Sequence, residues 1–290
     1  RMDCDASQLL TYYFRGANGV PYDYKGGNTF SCDFLPQEYS CCGGGDYRRH
    51  AFVVTGADGS SAVDLRYSGH SITEGKYSIP GLPAAYGGGA QTCAIVLEDK
   101  RVGVRVTLRY GVFYDEDVIC RAVEVENTGT DVLHLNRVMS MSMDFLTGEY
   151  ELVHFYGRHF HEMNPERTPV GHGCFAIGSR RGVSGHQHNP FAMLAESGAG
   201  EEHGAVYGMA LMYSGNFILE AQQDQYSQTR VQMGVSDERF DFLLDCGEHF
   251  FTPEVIMAFS DSGFGRLSHI FHRFIRNNVC REPYKLSRRP

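Results

Sequence analysis

The clearest pattern in the chain is an alternation with a period of two. Val102, Val104, Val106, Leu108 and Tyr110 are separated by Gly103, Arg105, Thr107 and Arg109, as expected of a strand with one face buried and one wet. Leu133, Leu135, Met139, Met141, Met143 and Phe145 share one parity, interrupted only by Arg137. Between these runs, residues 122–126 and the turn Asn127-Thr128-Gly129-Thr130 predict a hairpin. Asp58-Gly59 and Asp99-Lys100 predict two further hairpin tips, and strands are expected over residues 205–213, 216–222 and 239–244. One stretch changes period. Leu267, Ile270, Phe271, Phe274 and Ile275 fall on one helical stripe, after Ser262-Gly263 and before Pro283, which predicts a helix near residues 265–278.

Many antiparallel strands with short turns give an all-β fold, a sandwich of large sheets with a C-terminal helix. The expected division is residues 1–262 for the sandwich and 263–290 for a helix and linker. Composition agrees: 290 residues at 42% hydrophobic bury a large core, and 34 glycines with 19 phenylalanines and 17 tyrosines favour turns and strands. A net charge of −9 argues against nucleic acid and anionic membranes as partners. The one cationic cluster, residues 281–289, is short, and no apolar run approaches a membrane span. The start, Arg1-Met2-Asp3-Cys4-Asp5, lacks a signal-peptide core, which gives a cytoplasmic expectation. Nine scattered cysteines without a C-x-x-C pair read as reduced, mostly small core residues.

Chemistry concentrates in the turn Glu38-Tyr39-Ser40-Cys41-Cys42-Gly43-Gly44-Gly45-Asp46-Tyr47-Arg48. Three glycines allow close approach to the backbone. Asp46 offers two acceptor oxygens, and Arg48 lies on the same face if the segment is extended. An acceptor beside a forked donor suits vicinal hydroxyls. Spacing alone favours a surface turn with a local ion pair, since glycine-rich turns are common.

The turn resembles part of the amino-terminal domain of glycoside hydrolase family 36, the bacterial and fungal α-galactosidases. The resemblance continues through Gly75-Lys76, Gly81-Leu82-Pro83-Ala84-Ala85-Tyr86, Tyr110-Gly111-Val112-Phe113 and Val118-Ile119-Cys120-Arg121. Further blocks are Ser184-Gly185-His186-Gln187-His188-Asn189-Pro190-Phe191, Tyr207-Gly208, Tyr213-Ser214-Gly215-Asn216-Phe217, Gly247-Glu248-His249-Phe250 and Thr252-Pro253-Glu254. It implies a large β-supersandwich and a helix leading into a (β/α)8 barrel that carries the two aspartates of a retaining mechanism. The barrel's motifs do not occur in this sequence, so the resemblance implies a non-catalytic domain, inactive alone, of an enzyme acting on terminal α-galactosides. Its implied partners are an α-galactoside sugar, its own barrel domain and further copies in a homo-oligomer. By the same resemblance Asp46 hydrogen-bonds galactose hydroxyls, within its own subunit or across a tetramer contact, and Arg48 orients Asp46 or the turn. Two departures stand out. The family's Gly-x-Trp-x-Arg-Glu segment is Gly157-Arg158-His159-Phe160-His161-Glu162 here, and the chain has no tryptophan.

No convincing catalytic pair of carboxylates is evident. A retaining glycosidase needs two about 5 Å apart, whereas Asp115-Glu116-Asp117 and Glu201-Glu202 read as solvated turns and Asp144 as a strand cap. His159-Phe160-His161 and His186-Gln187-His188 would each set two imidazoles on one face of a strand, with His172 between them in sequence. Zinc would need a third ligand there; loop or interface histidines are the plainer reading, and neither a metal nor another cofactor is expected. Two other classes stay open: an independent carbohydrate-binding module, which wants an aromatic platform on a sheet, and a metal-dependent β-fold enzyme.

Overall fold

The computed structural model describes residues 36–281 apart from Gly44 and Thr147, together with Lys285. Its strands are, in chain order, β1 (Phe52–Thr55), β2 (Arg66–Glu74), β3 (Ala90–Asp99), β4 (Val104–Phe113), β5 (Val118–Asn127), β6 (Leu133–Phe145), β7 (Tyr150–Arg158) and β8 (His161–Pro169). They continue as β9 (Gly173–Ser179), β10 (His188–Glu196), β11 (Val206–Leu211), β12 (Phe217–Gln223), β13 (Thr229–Val235), β14 (Phe242–Leu244), β15 (His249–Phe251) and β16 (Val255–Ser260). One α-helix, α1 (Gly263–Phe274), follows and runs on as a π-helical turn, Ile275–Val279.

The strands form two antiparallel sheets. The larger has the order β2-β3-β4-β5-β16-β11-β10-β7-β8, with β15 added on β5; the smaller runs β1-β6-β13-β12, with β14 on β6. The all-β expectation holds. The predicted alternation in β4 is also observed: Val104, Val106 and Leu108 are fully buried between the sheets. Past Tyr110 the same strand buries its other face, where Phe113 meets Phe274 of α1 edge-on at 4.9 Å between ring centroids. Gly208 of β11 makes room for the helix, because a Cβ there would sit 2.4 Å from the Phe271 ring.

Two turns differ from expectation. Asp99-Lys100 joins paired strands β3 and β4, but Asn127–Thr130 is not a hairpin tip. β5 pairs with β4, β16 and β15, whereas β6 pairs with β1, β13 and β14, so the chain there crosses from one sheet to the other. Asn127 holds the crossing by donating to the carbonyls of Asp131 and Leu244. Asp58-Gly59 is likewise a tight turn closed by Gly59 N–H to Gly56 C=O, leading from β1 in the small sheet to β2 in the large one.

The interruption at Arg137 has a geometric cause. The register of β6 slips opposite Val53/Val54 on one side and opposite Met233/Gly234 on the other. Each bulge exchanges the two faces of the strand. Between them Val138 takes the core side and Arg137 turns to the opposite face. The seven cysteines among the described residues are free thiols, as expected, but only Cys41 and Cys120 are buried; Cys42, Cys174, Cys246 and Cys280 are exposed. No helix among the described residues is long and apolar enough to cross a membrane.

Candidate functional site: a charged layer under the glycine turn

Alternation in the small sheet puts one set of side chains into the core and the other onto its outer face. On that outer face lie Ser142 and Asp144 of β6, Arg230 and Gln232 of β13, and Glu220 and Gln222 of β12, in register with one another. Water does not cover them. Residues 37–50 form a strap across the face, so that Ser142, Glu220, Arg230 and Gln232 are all buried. The strap is pinned at both ends. Tyr39, fully buried against Phe52, donates its hydroxyl to Met139 C=O at 2.8 Å. Ser40 C=O receives the N–H groups of Ala51 and Phe52 at 3.0 Å. Arg121 of the large sheet donates to the carbonyls of Glu38 and Ser142.

Asp46 sits at the centre of this layer. Its Oδ1 accepts from Arg48 N–H and Nε, both at 2.9 Å, and its Oδ2 accepts from the Arg48 guanidinium at 3.0 Å and from Arg230 at 2.7 Å. Arg230 also grips Asp144 at 2.7 and 2.8 Å. Arg48 stands 3.6 Å from both Asp144 and Asp224. Burial works against the Asp46 charge, but Arg230 and Arg48 outweigh it and hold the carboxyl below its ordinary range. Arg230 is driven further up, against its own burial, by Asp144 and Asp46. A second group adjoins through Arg49. Arg137 pairs with Glu220 and Asp237, and Arg49 reaches the same two acids at 3.0 Å. Burial raises the Glu220 carboxyl despite Arg137 and Arg49.

The sequence-derived pair Asp46 and Arg48 is therefore brought together, but not at a solvent-facing turn. The two are 3% and 5% exposed, and Tyr47 between them is 83% exposed. An ionised carboxylate has about four acceptor directions, and all four at Asp46 are taken. A hydroxyl reaching it displaces a guanidinium. The surface-turn reading fails for this pair because the strap lies on a polar sheet face rather than over solvent.

The glycines serve different ends. A Cβ on Gly43 would lie 2.1 Å from Val63 C=O, while Gly45 has open space but a left-handed φ of 72°. Gly44 lies outside the described residues. Beside the strap opens a cavity of about 530 Å³, lined by Tyr47, Arg48, His172, Gly173, Gln222, Gln223, Asp224 and Gln225.

The other sequence candidates separate. Asp115 and Glu116 lie in a 3-10 turn, Tyr114–Glu116, followed by the left-handed Asp117; Glu116 and Asp117 pair with Arg273 and Arg266 of α1, so these charges tie the helix down. Asp144 is an ion-pair partner rather than a cap. His159 and Phe160 form the tip of the β7–β8 hairpin, so His159 and His161 do not share a strand face; His186 likewise precedes β10, which starts at His188. The two segments do lie side by side, since Gly157 N–H donates to Gln187 C=O, yet no three donors able to hold a metal converge among the described residues. Sequence reasoning missed His154, buried with its ring 6.0 Å from His188, where burial lowers its pKa, Glu166 opposes and His188 reinforces the shift. It also missed Arg230, Glu220 and Asp224. The signal for Arg230 was present as Arg230 and Gln232 alternating with Val231 and Met233.

The model described as "Glycosyl hydrolase family 36 N-terminal domain" matches residues 7–245. The chain belongs to glycosyl hydrolase family 36. Among family-36 relatives, the bifunctional alpha-galactosidase/sucrose kinase AgaSK of Mediterraneibacter gnavus is 45% identical over 284 residues, covering 97% of this chain and 30% of that protein. Alpha-galactosidase AgaA of Geobacillus stearothermophilus is 42% identical over 265 residues, 90% of this chain and 36% of that protein. A solved structure of an AgaA double variant in complex with raffinose superposes with a TM-score of 0.89 at 41% identity, over 93% of this chain and 38% of that one. The chain thus spans about a third of the length of these relatives.

Proposed function

We propose that this chain is the non-catalytic amino-terminal domain of a retaining α-galactosidase, an enzyme that hydrolyses terminal α-galactosides through a separate barrel domain. The observation that carries this reading is the family-36 match over residues 7–245 together with relatives named as alpha-galactosidases, of which the chain spans about a third. The acids of the domain support it. Retaining hydrolysis needs a nucleophilic carboxylate and, about 5 Å away, a carboxylic acid that gives up its proton. Asp46, Asp144 and Asp224 are tied to Arg48 and Arg230, and Asp46 is held ionised. Glu220, whose pKa is raised, is sealed beneath the strap against Arg137.

In this reading the domain supplies the turn 38–48 to the sugar. Asp46 and Arg48 are the residues of that contact, acting from a base that Arg230 fixes, with Tyr47 projecting from it. Assembly with further copies uses the β7–β8 hairpin, whose tip leaves Phe160 89% exposed beside the exposed Met163. The free thiols suit a reducing compartment, the cytoplasm. The test compares the purified 290-residue chain with a longer version carrying the barrel, on an aryl α-galactoside. Turnover is expected from the longer protein alone. Turnover by the 290-residue chain, lost on mutating one of its own acids, overturns the reading.

A further inference from the structure

The end of α1 is capped from the far side of the sequence. A helix leaves its last carbonyls without partners of its own, and a glycine just past the end is a common remedy. No glycine follows Gly265 in this chain. Instead the π-helical turn Ile275–Val279 passes into an extended Cys280, and Tyr86 takes up the carbonyls. Its N–H donates to Asn278 C=O at 2.9 Å, and its hydroxyl donates to Cys280 C=O. Asn278 Nδ2 answers by donating to Tyr86 C=O at 2.9 Å, across 192 residues of sequence. Gly87 permits this fit, because its φ is 134° and a Cβ there would lie 2.6 Å from Asn278 Nδ2. The Tyr86 ring also meets the chain beyond the helix, with Arg281 at 5.3 Å and Lys285 at 5.6 Å from its centroid.

Tyr86 is itself anchored in the large sheet. Residues 75–89 join β2 to β3 without regular structure and lie on the sheet through Tyr77 and Ile79, which pack with Ala122. Glu254, fully buried just before β16, holds this segment at two points. It pairs with Lys76 Nζ at 2.5 Å and accepts the Ala85 N–H at 2.6 Å. On the other side of the helix end, Glu116 accepts from Arg273 at 2.6 Å and from Asn277 at 3.1 Å. The exit of α1 is thus gripped from two directions by groups that belong to the large sheet and its turns.

We propose that this bracket orients whatever follows the helix. Tyr86 and Asn278 are positioning residues: they set the direction in which the chain leaves the sandwich, and so hold the next domain in register with the turn 38–48. Closing the core asks only that Phe271 and Phe274 be buried; it does not ask that the exit carbonyls be tied to a loop of the large sheet. The next domain rests on the α-galactosidase reading, whereas the bracket rests on its own hydrogen bonds.

Two variants test it. Asn278→Asp keeps the shape but sets an acceptor against Tyr86 C=O, and Tyr86→Ala removes the ring and hydroxyl. In the 290-residue chain, NMR amide exchange at Tyr86 and Cys280 should quicken at least about tenfold in Asn278→Asp, with the strands unchanged. In the longer protein carrying the barrel, both variants should raise KM for an aryl α-galactoside at least about fivefold while kcat changes less than about twofold. Small-angle X-ray scattering should show a broader distance distribution for both. Tyr86→Phe keeps the ring and the main-chain bonds, and its KM should stay within about twofold of wild type. A cap that served the helix alone would quicken exchange yet leave KM and scattering at wild-type values, and that result overturns the proposal. Unchanged exchange in Asn278→Asp overturns it as well. A longer wild-type protein without turnover would count against the functional reading instead, and scattering by the variants would still decide this one.

Discussion

Arg230 and Asp46 meet at 2.7 Å across 184 residues of sequence, both buried. That contact fastens the glycine turn to the middle of the small sheet. Because the same guanidinium holds Asp144, the turn, β6 and β13 share one charged joint. A joint of this kind fixes geometry more than it adds stability, since desolvation offsets much of the attraction. Removing one member alone is another matter.

Asp46→Asn is expected to destabilise the 290-residue chain by about 3–5 kcal/mol, the cost typical of leaving a buried charge without its partner. Chemical denaturation measures this directly. A loss below about 1 kcal/mol, the ceiling for an exposed turn pair, would show that the strap does not depend on Asp46.

The same residue sets an acid limb. Its pKa is lowered in the folded state, so its contribution to stability is complete above the unfolded-chain value of about 3.9 and is lost as pH falls through the folded value. Stability measured from pH 6 downward should therefore decline more steeply for the wild type than for Asp46→Asn. Parallel curves would sink the assignment.

Much of the sheet architecture was legible because a period of two survives wherever one face is dry, as in Val104, Val106 and Leu108. The crossing at Asn127 was not, since a turn sequence does not state which sheet receives the next strand. The buried charged layer was hidden for a related reason. Arg230, Gln232, Glu220 and Asp144 are polar positions of ordinary strands, and alternation alone assigns them to solvent. Only the strap, folded back over them, makes them interior. Asp46 and Arg48 were found through the motif, but their partner Arg230 is 184 residues away, and its alternation with Val231 marks a strand face without saying what covers it.

Gly43 and Gly45 should respond differently to alanine. At Gly45 the added Cβ meets nothing and only the left-handed φ is strained, costing about 1 kcal/mol. At Gly43 it would meet the Val63 carbonyl at 2.1 Å, a backbone group that also accepts the Gly43 N–H at 2.6 Å. The turn must then leave Val63, with a loss expected to exceed that at Gly45 by at least about 1 kcal/mol. Equal melting shifts for the two variants would contradict the described path of the strap.

Contact with the sugar and support of the turn separate in the longer protein. If the turn reaches the substrate, Asp46→Ala should lower kcat/KM by roughly 10²-fold or more, because it frees Arg48 and Arg230 and displaces the residues that touch the hydroxyls. It should lower Tm as well. Tyr47→Ala removes an exposed ring and no buried partner, so Tm should hold while kcat/KM falls. Assays well below both melting temperatures keep the two effects apart. Wild-type kinetics in Tyr47→Ala, combined with a loss in Asp46→Ala that tracks only the fraction unfolded, would reduce the turn to a structural clasp and place the sugar contact elsewhere.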